Sequence, residues 1–114
     1  ADESCHHLGD LATLVGRVDG VNLKIMKTGG LREMLRMIHA ARALGMKVML
    51  GSMVESSLAL SAAAQVAPLV DYLDLDGHWL LRRDPFAGAP GERGAITLSQ
   101  KPGLGVTPAA GAAR

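Results

Sequence analysis

An α/β fold of parallel strands alternating with helices is what this sequence predicts, and three observations carry that reading. Short β-like segments begin near positions 1, 21, 47 and 71, a spacing close to one strand-plus-helix unit. Between them, apolar residues recur at helical spacing. Polar residues (Asp2, Lys24, Ser52, Asp74 and Asp76) fall at or near the C-terminal ends of the strands. Periodicity alone allows an open sheet or a closed barrel. The placement of the polar residues favours a (β/α)8-type (TIM) barrel, whose active sites lie on that face.

Residues 1–3 read as the stump of a strand. Leu8, Leu11, Leu14 and Val15 share one helical face, so a helix is expected over about 7–17. Asp19-Gly20 signals a turn, and residues 21–25 alternate as a strand. Thr28-Gly29-Gly30 ends it and opens a strong helix over 31–44, with Leu31, Met34, Leu35, Ile38 and Ala41 as its apolar stripe. Gly45 suits a left-handed C-terminal cap. A strand over 47–50, the turn Gly51-Ser52, an Ala/Leu-rich helix over about 56–67 stopped by Pro68, and a strand over 71–75 complete the regular part. Beyond Asp76, residues 84–94 read as a loop, 95–99 as a short strand, and 107–114 as a frayed, flexible tail.

The chain has 114 residues, enough for one modest core but short of the roughly 250 of a whole barrel. A net charge of +1 with scattered Arg and Lys gives no electrostatic case for nucleic acid or an anionic membrane. The only aromatics are Tyr72, Trp79 and Phe86, too few for a base-stacking platform. No apolar run reaches the roughly 18 residues of a membrane span. A single cysteine, Cys5, excludes an intramolecular disulfide and fits a reducing, cytoplasmic setting. The sequence opens at Ala1-Asp2-Glu3-Ser4 without an initiator Met, so a cut inside a longer chain is expected.

Lys24 is the most informative residue. Leu23 and Ile25 point to one face of its strand and Asn22, Lys24 and Met26 to the other. With the apolar pair under the helices, Lys24 points into the barrel mouth. Partly desolvated and near other cations, it would have its pKa lowered enough to act as a base. An exposed lysine on an edge strand is the plain alternative. Asp2 suits a hard cation such as Mg2+. Glu3, its neighbour, points to the opposite face if both lie on a strand, so only one of them joins a given site. Solvated acids near a chain end remain the other reading. Asp74 and Asp76 share a face, and two carboxylates on one wall repel unless a cation pairs with them. They would otherwise cap the following turn. Gly29-Gly30 is a strand-to-helix turn rather than an anion site, His6-His7 a surface pair, and His78 close enough to line the pocket without an assigned role.

Taken together, Ala1-Asp2-Glu3-Ser4, Asn22-Leu23-Lys24-Ile25-Met26-Lys27-Thr28-Gly29-Gly30-Leu31, Gly51-Ser52-Met53-Val54-Glu55, Asp74-Leu75-Asp76 and Pro102-Gly103-Leu104-Gly105-Val106 resemble the muconate-lactonizing subgroup of the enolase superfamily. The resemblance covers residues 1–106, as the C-terminal half of a barrel from about strand 5 to strand 8 and the return segment. The D-x-D narrows it to something similar to the dipeptide epimerases of the L-Ala-D/L-Glu type. That resemblance implies a Mg2+ enzyme with a capping domain, in which Asp2 matches the third metal-binding carboxylate and Lys24 one of two lysines exchanging an α-proton. Asp74 and Asp76 would hold the α-ammonium of a dipeptide, with Ser52 and Met53 also on the substrate. The capping domain, the first strands, the second lysine and the two other metal ligands are not in this sequence. The isolated chain is therefore expected to be inactive, with exposed strand edges prone to pair with a missing N-terminal half or with another copy in a homo-oligomer. N-succinylamino-acid racemase, o-succinylbenzoate synthase and muconate cycloisomerase are the alternatives within the subgroup, and a non-catalytic remnant the alternative outside it.

Overall fold

The computed structural model describes residues 1–88, 91–92 and 94–111. Its elements are α1 (Leu8–Leu14), β1 (Gly20–Lys24), α2 (Ile25–Thr28), α3 (Leu31–Ala43), β2 (Lys47–Gly51), α4 (Ser57–Ala64) and β3 (Tyr72–Asp74). Four two-residue strands follow: β4 (Phe86–Ala87), β5 (Gly91–Glu92), β6 (Ala95–Ile96) and β7 (Thr107–Pro108). Short 3-10 turns cover Ala67–Leu69 and Gly77–Leu80.

The sheet is parallel and sequential, in the order β1-β2-β3. Its register aligns Lys24 with Gly51 and Gly51 with Asp74 as the last C-terminal row. Side chains alternate across a strand, so Val21, Leu23, Val48 and Leu50 share one face. There they are buried against Met34, Met37, Ile38 and Ala41 of α3 and Leu60 of α4. Asn22, Lys24, Met49, Tyr72 and Asp74 occupy the other face. Tyr72, Leu73 and Asp74 are all exposed, as befits a three-residue edge strand.

Local chemistry explains the boundaries. The Asp10 carboxylate accepts the backbone N–H groups of His6 (2.8 Å) and His7 (2.9 Å) and so starts α1. Helix α3 ends as expected: Gly45 is left-handed, and the Met46 N–H donates to the Ala41 carbonyl at 2.9 Å. Asp71 anchors the entry to β3, its carboxylate accepting the Val48 N–H at 2.9 Å and pairing with Lys47 and Arg42 at 3.1 Å each.

Three expectations change. The first segment is not a strand beyond Ala1, whose amine donates to the Gly20 carbonyl and whose carbonyl accepts the Asn22 N–H, both at 2.7 Å. A turn follows, closed by Cys5 N–H donating to the Asp2 carbonyl. Ile25, expected as the last residue of the strand, instead opens α2, which follows Lys24 at once. The stretch read as a frayed tail instead pairs β7 with β4 in antiparallel fashion, with Ala109 N–H donating to the Pro85 carbonyl at 2.8 Å. Residues 112–114 of that stretch, and 89, 90 and 93 of the expected loop, lie outside the described residues.

Candidate functional site

The C-terminal row of the sheet positions the site. Lys24 and Asp74 lie two strands apart on the same face, roughly 10 Å at the usual inter-strand spacing. Lys24 is half-buried and points away from the helices, because its neighbours Leu23 and Ile25 fill the core.

Its charge has found a partner. Lys24 Nζ lies 3.0 Å from Asp2 Oδ2 and 3.6 Å from Glu3 Oε1. The hydrogen bond to Asp2 pushes the lysine's pKa up, although burial works the other way. The expected downward shift is thus reversed, because a carboxylate rather than another cation sets the local field. The expectation that Glu3 points away also fails. The turn after Asp2 brings both acids to one ammonium.

Asp2 is held from three sides. Lys27 Nζ donates to Asp2 Oδ1 and, at 2.6 Å, to the Asp2 carbonyl; Asn22 Nδ2 donates to Oδ2 at 3.1 Å. Burial raises the Asp2 pKa, but hydrogen bonds from Lys27 and Lys24 outweigh it and bring the carboxyl to about 2. It is therefore ionised at neutral pH and chemically fit to be one oxygen ligand of a divalent cation. Asn22 Oδ1 beside it is buried without a partner. Among the described residues no group of three or more His, Cys, Asp or Glu side chains comes together that could hold a metal ion. Sequence reasoning missed Lys27. Its spacing of three from Lys24 gives the clue only once α2 is known to follow β1 directly.

Asp74 and Asp76 line a cavity of about 410 Å³ together with Leu73, Trp79 and Ile96. Among the described residues neither carboxylate has a cation within ion-pair distance. Two acids on the lining of one cavity make it suited to a positively charged ligand.

Ser52 and Met53 stand on the loop between β2 and α4. The Ser52 hydroxyl donates to the Asp74 carbonyl (3.3 Å) and accepts the Gly77 N–H (3.1 Å). The Met53 side chain is exposed, and its N–H donates to Glu55 Oε1 at 2.9 Å. Glu55 is another residue the sequence reading passed over. It is 7% exposed, its Oε2 is buried without a partner, and burial raises its pKa while the charge of Lys24 pulls it partly back.

A parallel sheet with Lys24 and Asp74 on its C-terminal row, and Asp2 and Asp76 close to those two strand ends, has the make-up of a segment of a (β/α)-barrel of enzyme type. A family described as "Enolase C-terminal domain-like" matches residues 1–112, and the chain belongs to it. It is 51% identical over 106 residues to an L-Ala-D/L-Glu epimerase of Bacteroides thetaiotaomicron, covering 93% of this chain and 28% of that protein. It is also 51% identical over 104 residues to a hydrophobic dipeptide epimerase of Roseobacter litoralis, covering 91% and 30%. Among solved structures it is similar to a dipeptide epimerase of Methylococcus capsulatus complexed with Mg and the dipeptide L-Arg-D-Lys. That match has a TM-score of 0.84 and 36% identity, over 93% of this chain and 32% of that one. The chain thus spans less than a third of the length of these relatives.

Proposed function

We propose that this chain forms the C-terminal part of the barrel of a Mg2+-dependent dipeptide epimerase of the L-Ala-D/L-Glu type, an isomerase acting in the cytoplasm. The observation that carries the reading is the single C-terminal row on which Lys24 and the unpaired Asp74 stand, with Asp76 lining the same cavity as Asp74. No helix is long and apolar enough to cross a membrane among the described residues.

The reaction removes and replaces the proton on the carbon next to a carboxylate. Its difficulty is the second negative charge that gathers on that carboxylate, and a bound divalent cation supplies the offsetting charge. In this chain Asp2 would be one of its ligands. Lys24, whose ammonium now lies 3.0 Å from Asp2 Oδ2, would be the group that moves the proton on one face. A second base on the opposite face is required, and the remainder of the enzyme supplies it. Asp74 and Asp76 bind the α-ammonium of the dipeptide and fix which carbon faces Lys24. On this reading the opposing base and the other metal ligands come from the rest of the enzyme, and the 114 residues alone are expected to show no epimerase activity.

The test is hydrogen exchange at the glutamyl α-carbon of L-Ala-L-Glu in D2O, followed by NMR with Mg2+. The full-length enzyme carrying this segment exchanges and epimerises; Lys24→Ala abolishes exchange into one epimer. Faster turnover of an N-succinyl amino acid than of any dipeptide would replace this reading with that of an N-acylamino-acid racemase.

A further inference from the structure

A hydroxyl has one proton to give, and Ser52 has already given it. It donates to the Asp74 carbonyl at 3.3 Å and accepts the Gly77 N–H at 3.1 Å. These two partners bracket Asp74-Leu75-Asp76, one on the first acid and one on the residue immediately after the second. The side chain is therefore committed to the backbone of the acidic segment and is poorly placed to serve a ligand.

The segment needs such an anchor. Pairing of β3 with β2 stops at Asp74 opposite Gly51, so Leu75 and Asp76 receive no ladder bonds. Beyond that row the two chains press together backbone to backbone. A Cβ on Gly77 would come within 1.8 Å of the Met53 carbonyl oxygen and 3.0 Å of Ser52 Oγ. Only glycine fits there, and the close approach is what brings the Gly77 N–H to the hydroxyl. The sequence pair Ser52 and Gly77 reads as a latch between two loops.

We propose that Ser52 is the positioning residue of the Asp74/Asp76 pair: its hydroxyl, locked between the Asp74 carbonyl and the Gly77 N–H, sets the aim of the two carboxylates on a cationic amine in the cavity. This rests on the reading of that pair as the ammonium holder. Charge-assisted contacts lose strength steeply with misalignment, so the carboxylates bind well only while their supporting backbone is fixed. Loss of the latch loosens the amine contact without touching the reacting carbon.

The test uses the full-length enzyme with Mg2+ and two small molecules: L-Ala-L-Glu as substrate, and N-propionyl-L-glutamate, the same skeleton without the amine, as a competitive inhibitor. Ser52→Ala is expected to raise KM for the dipeptide about tenfold with kcat changed about twofold or less, and to leave the inhibition constant of the propionyl compound unchanged. Ser52→Thr keeps the hydroxyl and restores KM to within about threefold of the parent enzyme. Should Ser52→Ala not fold, Ser52→Cys, with its weak donor, gives the same pattern at smaller amplitude. An unchanged KM in Ser52→Ala overturns the proposal, as does an equal weakening of dipeptide and propionyl compound, which marks a general collapse of the site. Asp74→Asn separates the two claims. If it leaves the dipeptide KM unchanged, the ammonium reading itself falls; if it raises KM while Ser52→Ala does not, only the latch is wrong.

Discussion

Lys27 reaches back across 25 positions to grip Asp2 through both its carboxylate and its carbonyl, the latter at 2.6 Å. The lysine side chain is 6% exposed and the aspartate 38% exposed, so the pair sits between the surface and the interior. Replacing Lys27 by Met removes the nearest donor and leaves Asp2 with Lys24 and Asn22. The expected loss is about 1–2 kcal/mol, below the figure for a fully buried pair because Asp2 keeps contact with water. Urea denaturation of the full-length enzyme at pH 7 measures it. A midpoint equal to the parent's would show that Lys27 does not secure Asp2.

Glu55 carries a pH signature of the opposite kind. Burial raises its folded pKa above the unfolded value of 4.5, so the ionised form is disfavoured in the fold. The contribution of Glu55 to stability is then fully present below about 4.5 and is lost as pH rises through the folded pKa. Glu55→Gln removes that loss while its amide oxygen still accepts the Met53 N–H. The variant is expected to melt higher than the parent at pH 7 and equal to it near pH 4. A gain of the same size at both pH values would show that ionisation is not its source.

The Asp84 carboxylate tests how α4 is started. It accepts the Ser57 N–H at 2.8 Å, a Ser57 hydroxyl contact and the Phe86 N–H at 2.9 Å. Asp84→Ala leaves the Ser57 donors at the helix start, and the Phe86 N–H of β4, without that partner, and the expected cost is about 1 kcal/mol. Thermal melts at neutral pH read it. Asp84→Asn, which still accepts, should recover about half.

In the core, Leu50 is fully buried between the sheet and the helices. Leu50→Ala should cost about 2–5 kcal/mol, according to how far the cavity collapses. The same change at Leu58, an exposed position on α4, should stay within about 0.5 kcal/mol. Comparable losses at both sites would contradict the face assignment.

The sequence made some of this readable because side chains alternate along a strand. Leu23 beside Lys24 reveals facing without any knowledge of the rest, whereas β1 ends at Lys24 and β3 at Asp74, so alternation does not set the direction of Ile25 or Asp76. The helix over 31–43 was legible for the same kind of reason, a long stripe at helical period closed by Gly45. Features set by a single turn were not. Four residues of α2 carry no period, so Lys27 did not stand out as a partner of Asp2, and the turn after Asp2 brought Glu3 to Lys24 against simple alternation. The direction of the Lys24 shift depends on which charge is nearest, which distance alone decides. The two-residue pairing of β4 with β7 lies below any pattern that spacing could show. Ser52 was visible as a polar residue at a strand end, but whether its hydroxyl faces a ligand or the backbone depends on Gly77, 25 positions away.

The strands of the sheet stand side by side in chain order. The row from Lys24 through Gly51 to Asp74 is therefore complete only while the third and shortest strand of that sheet is docked. On the proposed reading, any change that frays this edge strand would cost recognition of a charged small molecule while the first two strands and the core beneath them stay intact.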